Sequence, residues 1–216
     1  MKKTILIAVI SIVTFNAIHA QNARIGFTAG ALFSNYTAKV DGETDNANSV
    51  AGLTAGILVD IPAGKNFSFQ PGINFVQKGT KYEETYNGVT DKYKLCINAI
   101  ELPLNFLYNA SGNTGNFFVG AGPSLAFAIS GKVKYDDGTD SYSEEIKFGN
   151  NEDEDDLKGM DFGANFLTGY RFPNGLQVSA HYNMGLGNLM IGGSDNGTLK
   201  SHYFGIKLGF LMKGKK

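Results

Sequence analysis

The sequence predicts an all-β fold, namely an eight-stranded antiparallel up-and-down transmembrane β-barrel. Three features indicate it: eight segments with a residue period of two, an export signal before them, and connections of alternating length. A period of two places successive side chains on opposite faces of a β-strand. One face of these segments is apolar, whereas the other consists mainly of glycine and polar residues.

The last segment, residues 204–210, shows the pattern most clearly. Large apolar residues occupy its even positions, and glycine or Lys207 occupies its odd positions. Glycine would weaken a strand whose second face met water, and a lysine is rarely found in a soluble core. The alternation therefore favours lipid on one face and a crowded polar interior on the other.

The N-terminus precedes the fold. Residues 1–20 begin with Lys2 and Lys3, continue with a mostly apolar run and end in Ala20, which is typical of a cleaved signal peptide. We assign residues 1–20 to that signal peptide and 21–216 to one outer-membrane β-barrel domain. No later run of about 18 apolar residues occurs, so the sequence pattern excludes a transmembrane helix.

Charge and cysteine content narrow the functional classes. Of the 19 basic residues, Lys2 and Lys3 belong to the signal peptide, which leaves 17 against 20 acidic ones. This balance argues against a nucleic-acid binder. The single Cys96 cannot form an intramolecular disulfide, and we interpret it as a packing residue. Closing a sheet into a barrel is another way to stabilise an exported chain.

Each predicted strand is defined by its own apolar residues at alternate positions. These sets begin, in chain order, at Ile25, Leu53, Phe67, Ile100, Phe117, Met160, Leu176 and Phe204. A tilted strand needs about 9–11 residues to cross a bilayer, and every predicted strand reaches that length. The strands span residues 24–34, 50–61, 66–78, 94–108, 116–130, 159–172, 175–186 and 199–211.

The glycine and polar face of these strands predicts which residues line the interior of the barrel. Eight strands enclose a space just wide enough for side chains, so glycines there make room for the polar residues beside them. These inward positions, which include Asp60, carry charges of both signs. Opposite charges close together favour charge-assisted hydrogen bonds. We predict a structural polar network in the lumen with the members Arg24, Glu101, Asp161, Arg171, His181 and Lys207.

The connections between strands alternate in length. The short ones are 62–65, 109–115 and 173–174, and the long hydrophilic ones are 35–49, 79–93, 131–158 and 187–198. Short periplasmic turns and long outer loops are typical of outer-membrane barrels. Because the number of strands is even, we expect both termini on the periplasmic side.

Four short motifs occur in strand order. They are Ile100-Glu101-Leu102-Pro103-Leu104, Phe118-Val119-Gly120-Ala121-Gly122-Pro123, Asp161-Phe162-Gly163 and Tyr182-Asn183-Met184-Gly185-Leu186. Together they resemble the PorT-like outer-membrane β-barrel family that is common in Bacteroidetes. The resemblance implies an eight-stranded up-and-down barrel in the outer membrane. Most members of that family have no assigned activity, and one founding member is tied to type IX secretion.

The charged interior admits more than one interpretation. We adopt a salt-bridged plug, because buried charges need partners; a proton or ion path, or a gated pore, is the alternative. A hydrolase is a further alternative, since Ser179, His181 and Asp161 share the lumen phase. Neighbours on one strand face lie about 7 Å apart, so no direct bond between Ser179 and His181 is expected. We predict no catalytic residue, cofactor or metal ligand.

The densest charge run, residues 150–156, falls in a predicted outer loop. It lacks the spacing of an EF-hand, and repulsion between its carboxylates favours a solvated, mobile loop. Bridging of divalent cations to lipopolysaccharide phosphates is a hypothesis for this loop.

These patterns predict a non-enzymatic integral protein of the bacterial outer membrane, with a structural or binding role through its long outer loops. An accessory role in protein secretion or envelope transport is the alternative, and an outer-membrane hydrolase is a further one. The expected partners are outer-membrane lipid and lipopolysaccharide. An envelope protein is a further candidate partner, and nucleic acid is not expected.

Overall fold

A computed structural model describes residues 23–40, 43–86, 89–112, 114–136, 138, 140–192 and 197–212. The predicted signal peptide, residues 1–20, lies outside the described residues. Within the described ranges, no helix is long and apolar enough to cross a membrane.

The described residues form ten strands. Their bounds are β1 (Arg24–Val40), β2 (Glu43–Asn46), β3 (Asn48–Pro62), β4 (Phe67–Tyr86), β5 (Val89–Gly112), β6 (Gly115–Asp136), β7 (Ser141–Glu145), β8 (Met160–Arg171), β9 (Leu176–Gly185) and β10 (Thr198–Leu211).

Pairing between the first and last strands closes the sheet into a ring. β10 pairs with β1, and the path from β10 back to β1 runs through β9, β8, β6, β5, β4 and β3. All these pairings are antiparallel. In the described part of the chain, the ring therefore has eight strands, which confirms the predicted up-and-down barrel. β2 pairs with the end of β1, and β7 pairs with the end of β6.

The burial of β10 follows the predicted alternation. Ile206 is 52% exposed and Leu208 is 58% exposed, whereas Lys207 between them is 3% exposed. An outward belt of large apolar residues on an unpartnered surface indicates contact with lipid. The glycine and polar residues at the alternate positions of each strand therefore face the interior.

Four strands extend well beyond their predicted bounds at the end of the barrel that carries the long connections, which we call the long-loop end. β1 continues to Val40, β4 continues to Tyr86, β5 begins at Val89, and β6 continues to Asp136. The predicted loop 79–93 is thus mostly a β-hairpin. The sequence pattern missed it because strands beyond the lipid belt no longer need an apolar outer face.

Aromatic contacts join the strands in this extension. The ring centroids of Tyr93 and Tyr135 are 4.9 Å apart, and those of Tyr135 and Tyr142 are 5.0 Å apart. These residues are opposite one another in the registers of β5, β6 and β7. Cross-strand aromatic pairs of this kind stabilise a sheet.

The acidic run is more structured than predicted. Residues 150–154 are exposed, but the Asp155 Oδ2 accepts a hydrogen bond from the Asn151 N–H at 2.9 Å. The Asp156 Oδ2 likewise accepts one from the Lys147 N–H at 2.8 Å. Carboxylates that bind backbone donors favour a compact turn, so this segment is solvated, as predicted, and also forms a turn.

Inward glycines permit close approach between neighbouring strands. A Cβ at Gly122 would meet the Leu104 carbonyl and would lie 2.8 Å from the Asn105 Cα. The adjacent Ala121 points outward and is exposed. The two positions therefore face different surroundings although they are neighbours in β6.

We expect Gly122→Val to lower the free energy of unfolding by about 1–3 kcal/mol, because the new side chain overpacks the interior. Urea unfolding in lipid vesicles, followed by the heat-modifiable gel mobility of the folded barrel, measures this change. Ala121→Val is the matched control and is expected to change stability little. Equal losses in both variants would contradict the assignment of faces.

Candidate functional site: the polar interior of the barrel

The interior of the barrel is lined by buried polar side chains. Most come from the strand phase that alternates with the lipid-facing residues. The buried polar and charged residues of the ring strands include Ser34, Thr54, Asp60, Gln70, Asn74, Lys78, Glu101, Asn105, Ser124, Asp161, Asn165, Arg171, Gln177, Ser179, Asn183, Ser201 and Lys207. They form three layers along the barrel, bounded by the long-loop end and by the opposite, short-turn end.

The first layer lies at the short-turn end and is centred on Asp60. The Arg24 Nη2 is 2.6 Å from the Asp60 Oδ2, and the Arg171 Nη1 is 3.5 Å from the same oxygen. Gln70 donates to the Asp60 Oδ1 at 3.3 Å, and the Arg171 Nε donates to the Gln177 Oε1 at 3.2 Å. One carboxylate therefore serves two guanidinium groups.

In the middle layer, neutral side chains supply most of the hydrogen bonds. The Tyr203 hydroxyl contacts both Glu101 oxygens, at 2.8 and 3.0 Å. The Asn183 amide donates to the Ser124 Oγ at 2.8 Å and to the Asn165 Oδ1 at 2.7 Å. The bond between Tyr203 and Glu101 crosses the lumen from β10 to β5 and holds opposite walls together, whereas the bonds of Asn183 join β9 to the nearby strands β8 and β6.

The third layer is a buried ion pair nearer the long-loop end. The Lys78 Nζ is 2.9 Å from the Asp161 Oδ2. The Ser201 Oγ donates to the same oxygen at 2.5 Å and accepts a hydrogen bond from the Lys78 Nζ at 3.1 Å. A buried pair with further hydrogen bonds is the arrangement that offsets the cost of removing both charges from water.

An apolar plug covers this layer. Its buried centre is Tyr36, Ile97 and Leu189. Phe148 and Leu157, from the connection between β7 and β8, pack against that centre. The segment next to the acidic run thus folds inward over the mouth.

The remaining interior spaces are small. A cavity of about 20 Å³ lies in the middle layer beside Glu101, His181 and Lys207, and a second of about 20 Å³ lies beneath the plug. Each has room for about one water molecule. A larger cavity, about 260 Å³, opens at the short-turn end beside Arg24 and Arg171.

The six side chains of the predicted network do not form one network. Arg24 and Arg171 share Asp60, whereas Asp161 binds Lys78 and Glu101 binds Tyr203. His181 binds Ser179, and Lys207 has no hydrogen bond or ion pair to any described residue but lines the central cavity. The six predicted residues are, in chain order, Arg24, Glu101, Asp161, Arg171, His181 and Lys207.

Sequence reasoning missed several members of the interior, among them Lys78 and Tyr203. Lys78 lies at the end of a predicted strand, but it has the same phase as Asn74 and was therefore detectable. Tyr203 has the same phase as Lys207 and was detectable in the same way. Their partners were not detectable, because Lys78 and Asp161 are 83 positions apart in the chain.

The expectation that Ser179 and His181 are too far apart for a direct bond was wrong. The Ser179 Oγ and the His181 Nε2 are 2.8 Å apart, because the two side chains lean together along β9. Asp161 does not complete a triad with them, since its Oδ2 is bound to Lys78 and Ser201. A catalytic triad requires an acid that is hydrogen-bonded to the histidine, and Asp161 makes no such bond to His181 in the described structure.

The described ranges contain no group of three or more His, Cys, Asp or Glu that could hold a metal ion.

A known family matches most of this barrel. The family described as outer membrane protein beta-barrel domain matches residues 19–190. The chain belongs to that family. Membership indicates that this β-barrel protein resides in the outer membrane, and it agrees with the closed ring and apolar belt. A search among curated proteins gives no match.

Several solved structures are similar to this outer-membrane protein. Ail, the attachment invasion locus protein of Yersinia pestis, in complex with the heparin analogue sucrose octasulfate, is 12% identical, with a TM-score of 0.42. The match covers 88% of this chain and 99% of Ail. Neisserial surface protein A is 14% identical, with a TM-score of 0.42 and coverage of 86% and 96%. The N-terminal domain of Pseudomonas aeruginosa OprF is 9% identical, with a TM-score of 0.36 and coverage of 87% and 97%.

We expect Lys78→Met to lower the free energy of unfolding by about 3–5 kcal/mol, because it leaves Asp161 buried without its cation. Urea unfolding in lipid vesicles measures the loss. Lys78→Met combined with Asp161→Leu is expected to recover most of it, since no unpaired charge remains.

The matched control is Lys81→Met, which breaks an exposed pair with Glu83 at 3.2 Å. It is expected to cost less than about 1 kcal/mol. If the Lys78 variant were no less stable than the Lys81 variant, the third layer would not support the barrel.

Proposed function

We propose that this protein is a closed, non-enzymatic barrel of the outer membrane with a structural or binding role at its long-loop end. The observation that carries the proposal is the filled interior, with three polar layers beneath an apolar plug. A lumen of eight strands leaves little space once its side chains are packed. Function is then expected at the surface rather than through the barrel.

The long-loop end supports the binding part of the proposal. There β4, β5 and β6 continue beyond the lipid-facing belt, and β7 widens the sheet that they form. Tyr142 is 61% exposed and Tyr93 is 42% exposed on this extension. Exposed aromatic residues on a rigid sheet are suited to recognition of a partner. We propose that the long-loop end faces outward and that both termini lie in the periplasm.

The lipid-facing belt makes outer-membrane lipid and lipopolysaccharide the immediate partners in this proposal. The PorT-like resemblance and the accessory role in secretion stay predictions, and an envelope partner at the long-loop end would suit either one.

We expect the purified protein to give no stable conductance steps in a planar lipid bilayer, because the layers and the plug leave no continuous aqueous path. A sixteen-stranded porin inserted under the same conditions shows that the bilayer detects open barrels. Reproducible ion-selective steps from the folded protein would overturn the closed-barrel proposal.

Orientation is tested by labelling intact cells with a membrane-impermeant maleimide, in a Cys96→Ser background. Ser143→Cys in β7 is expected to react, whereas Asn174→Cys in a short turn is expected to react only after the cells are broken. The reverse pattern would place the termini outside and contradict the proposal.

A further inference from the structure

The positive and negative charges at the short-turn end do not balance. Asp60 is fully buried and is the carboxylate that both Arg24 and Arg171 contact in the described part of the chain. Gln70 and Gln177, which complete the layer, are neutral. Two guanidinium groups therefore meet one carboxylate, and one positive charge has no counter-charge among the described residues.

Both arginines also have unused donors. The Arg24 Nε and the Arg171 Nη2 are buried and have no hydrogen-bond acceptor among the described residues. Arg171 as a whole is 4% exposed, and its guanidinium lies 5.5 Å from the centre of the Phe118 ring. Burial of unsatisfied charged donors costs free energy, so this layer is less well satisfied than the buried pair of Lys78 and Asp161.

A cavity adjoins the two guanidinium groups. It has a volume of about 260 Å³, and its walls include Arg24, Arg171, Asn116 and Phe172. Gly115 also lines it, with a positive φ of 149°. A Cβ at Gly115 would meet the Arg171 carbonyl oxygen and the Tyr170 ring, so only glycine fits this close approach to β8.

We propose that this cavity, here called the arginine cavity, binds a phosphate group. Guanidinium groups bind oxyanions through paired, charge-assisted hydrogen bonds. One added anion would balance the surplus charge, and the Arg24 side chain, which is 34% exposed, offers it an accessible guanidinium face. This site is separate from the role proposed for the long-loop end.

Two sources of phosphate reach this end of the barrel. Phe172 lines the arginine cavity and is 40% exposed on the aromatic rim, and aromatic rims lie at the depth of lipid headgroups. A phospholipid headgroup can therefore supply the phosphate from the side, and a free phosphate can enter from the solvent.

The first experiment uses inorganic phosphate and the protein purified in a phosphate-free maltoside detergent. At constant ionic strength, phosphate is expected to raise the thermal unfolding midpoint with increasing concentration, because a ligand of the folded state stabilises it. Arg24→Gln is expected to weaken the apparent phosphate affinity at least about tenfold. Lys132→Gln, which removes an exposed cation near the long-loop end, is the matched control and should not change it.

A second variant separates binding from a merely structural role of the arginines. Asn116→Asp places a carboxylate in the wall of the cavity. We expect this variant to raise the midpoint without phosphate and to abolish the response to phosphate, since the fixed carboxylate replaces the ligand. A wild-type midpoint that ignores phosphate, or an equal response in all variants, would overturn the proposal.

The source is identified by repeating the titration in nanodiscs of phosphatidylethanolamine and of a phosphate-free galactolipid. If a headgroup occupies the arginine cavity, added phosphate will stabilise the wild type in galactolipid but not in phospholipid. If free phosphate is the ligand, it will stabilise the protein in both. Either result supports a phosphate site, whereas no response in galactolipid contradicts it.

Discussion

Pairing of β1 with β10 is the contact on which the rest of the structure depends. It runs from Gly26 opposite Leu211 to Lys39 opposite Thr198 and leaves no open edge in the membrane-spanning ring. An unpaired edge in hydrocarbon would expose backbone donors and acceptors that water cannot satisfy. Once the ring is closed, each side chain of a strand points either to lipid or into a space of fixed width.

The fixed width explains the composition of the interior. Glycines such as Gly122 lie where strands approach closely, and polar side chains fill the remaining space. The filling is layered because each charge must find a partner within reach. Lys78 and Asp161 balance each other near the long-loop end, whereas Asp60 at the short-turn end faces two arginines. The first arrangement is a self-contained structural support; the second has a surplus of donors and of positive charge.

The alternation of residue types predicted the ring and the inward residues because lipid and lumen impose a strict period of two. It failed where that constraint ends. The extensions of β4 and β5 beyond the belt have polar residues on their outer face, so nothing in the period marks them as strands. The inward packing of Phe148 and Leu157 was hidden by the acidic run between them.

Partners across the lumen, such as Tyr203 and Glu101, depend on ring closure and side-chain reach, which local sequence does not encode. The Ser179–His181 bond was missed because side chains lean along a strand although their backbone positions stay apart.

Cross-relaxation between lipid and protein distinguishes the lipid-facing surface of the barrel from its filled interior. It reports which methyl groups touch acyl chains in the unaltered protein. The measurement uses protein deuterated except at Ile, Leu and Val methyl groups, in nanodiscs with protonated lipid. We expect strong transfer from acyl methylene protons to the outward methyl groups of Ile206 and Leu208, and none to the interior Leu32, Val76 and Leu107. Transfer to the interior methyl groups, or its absence at Ile206 and Leu208, would contradict a barrel with lipid outside and a filled lumen.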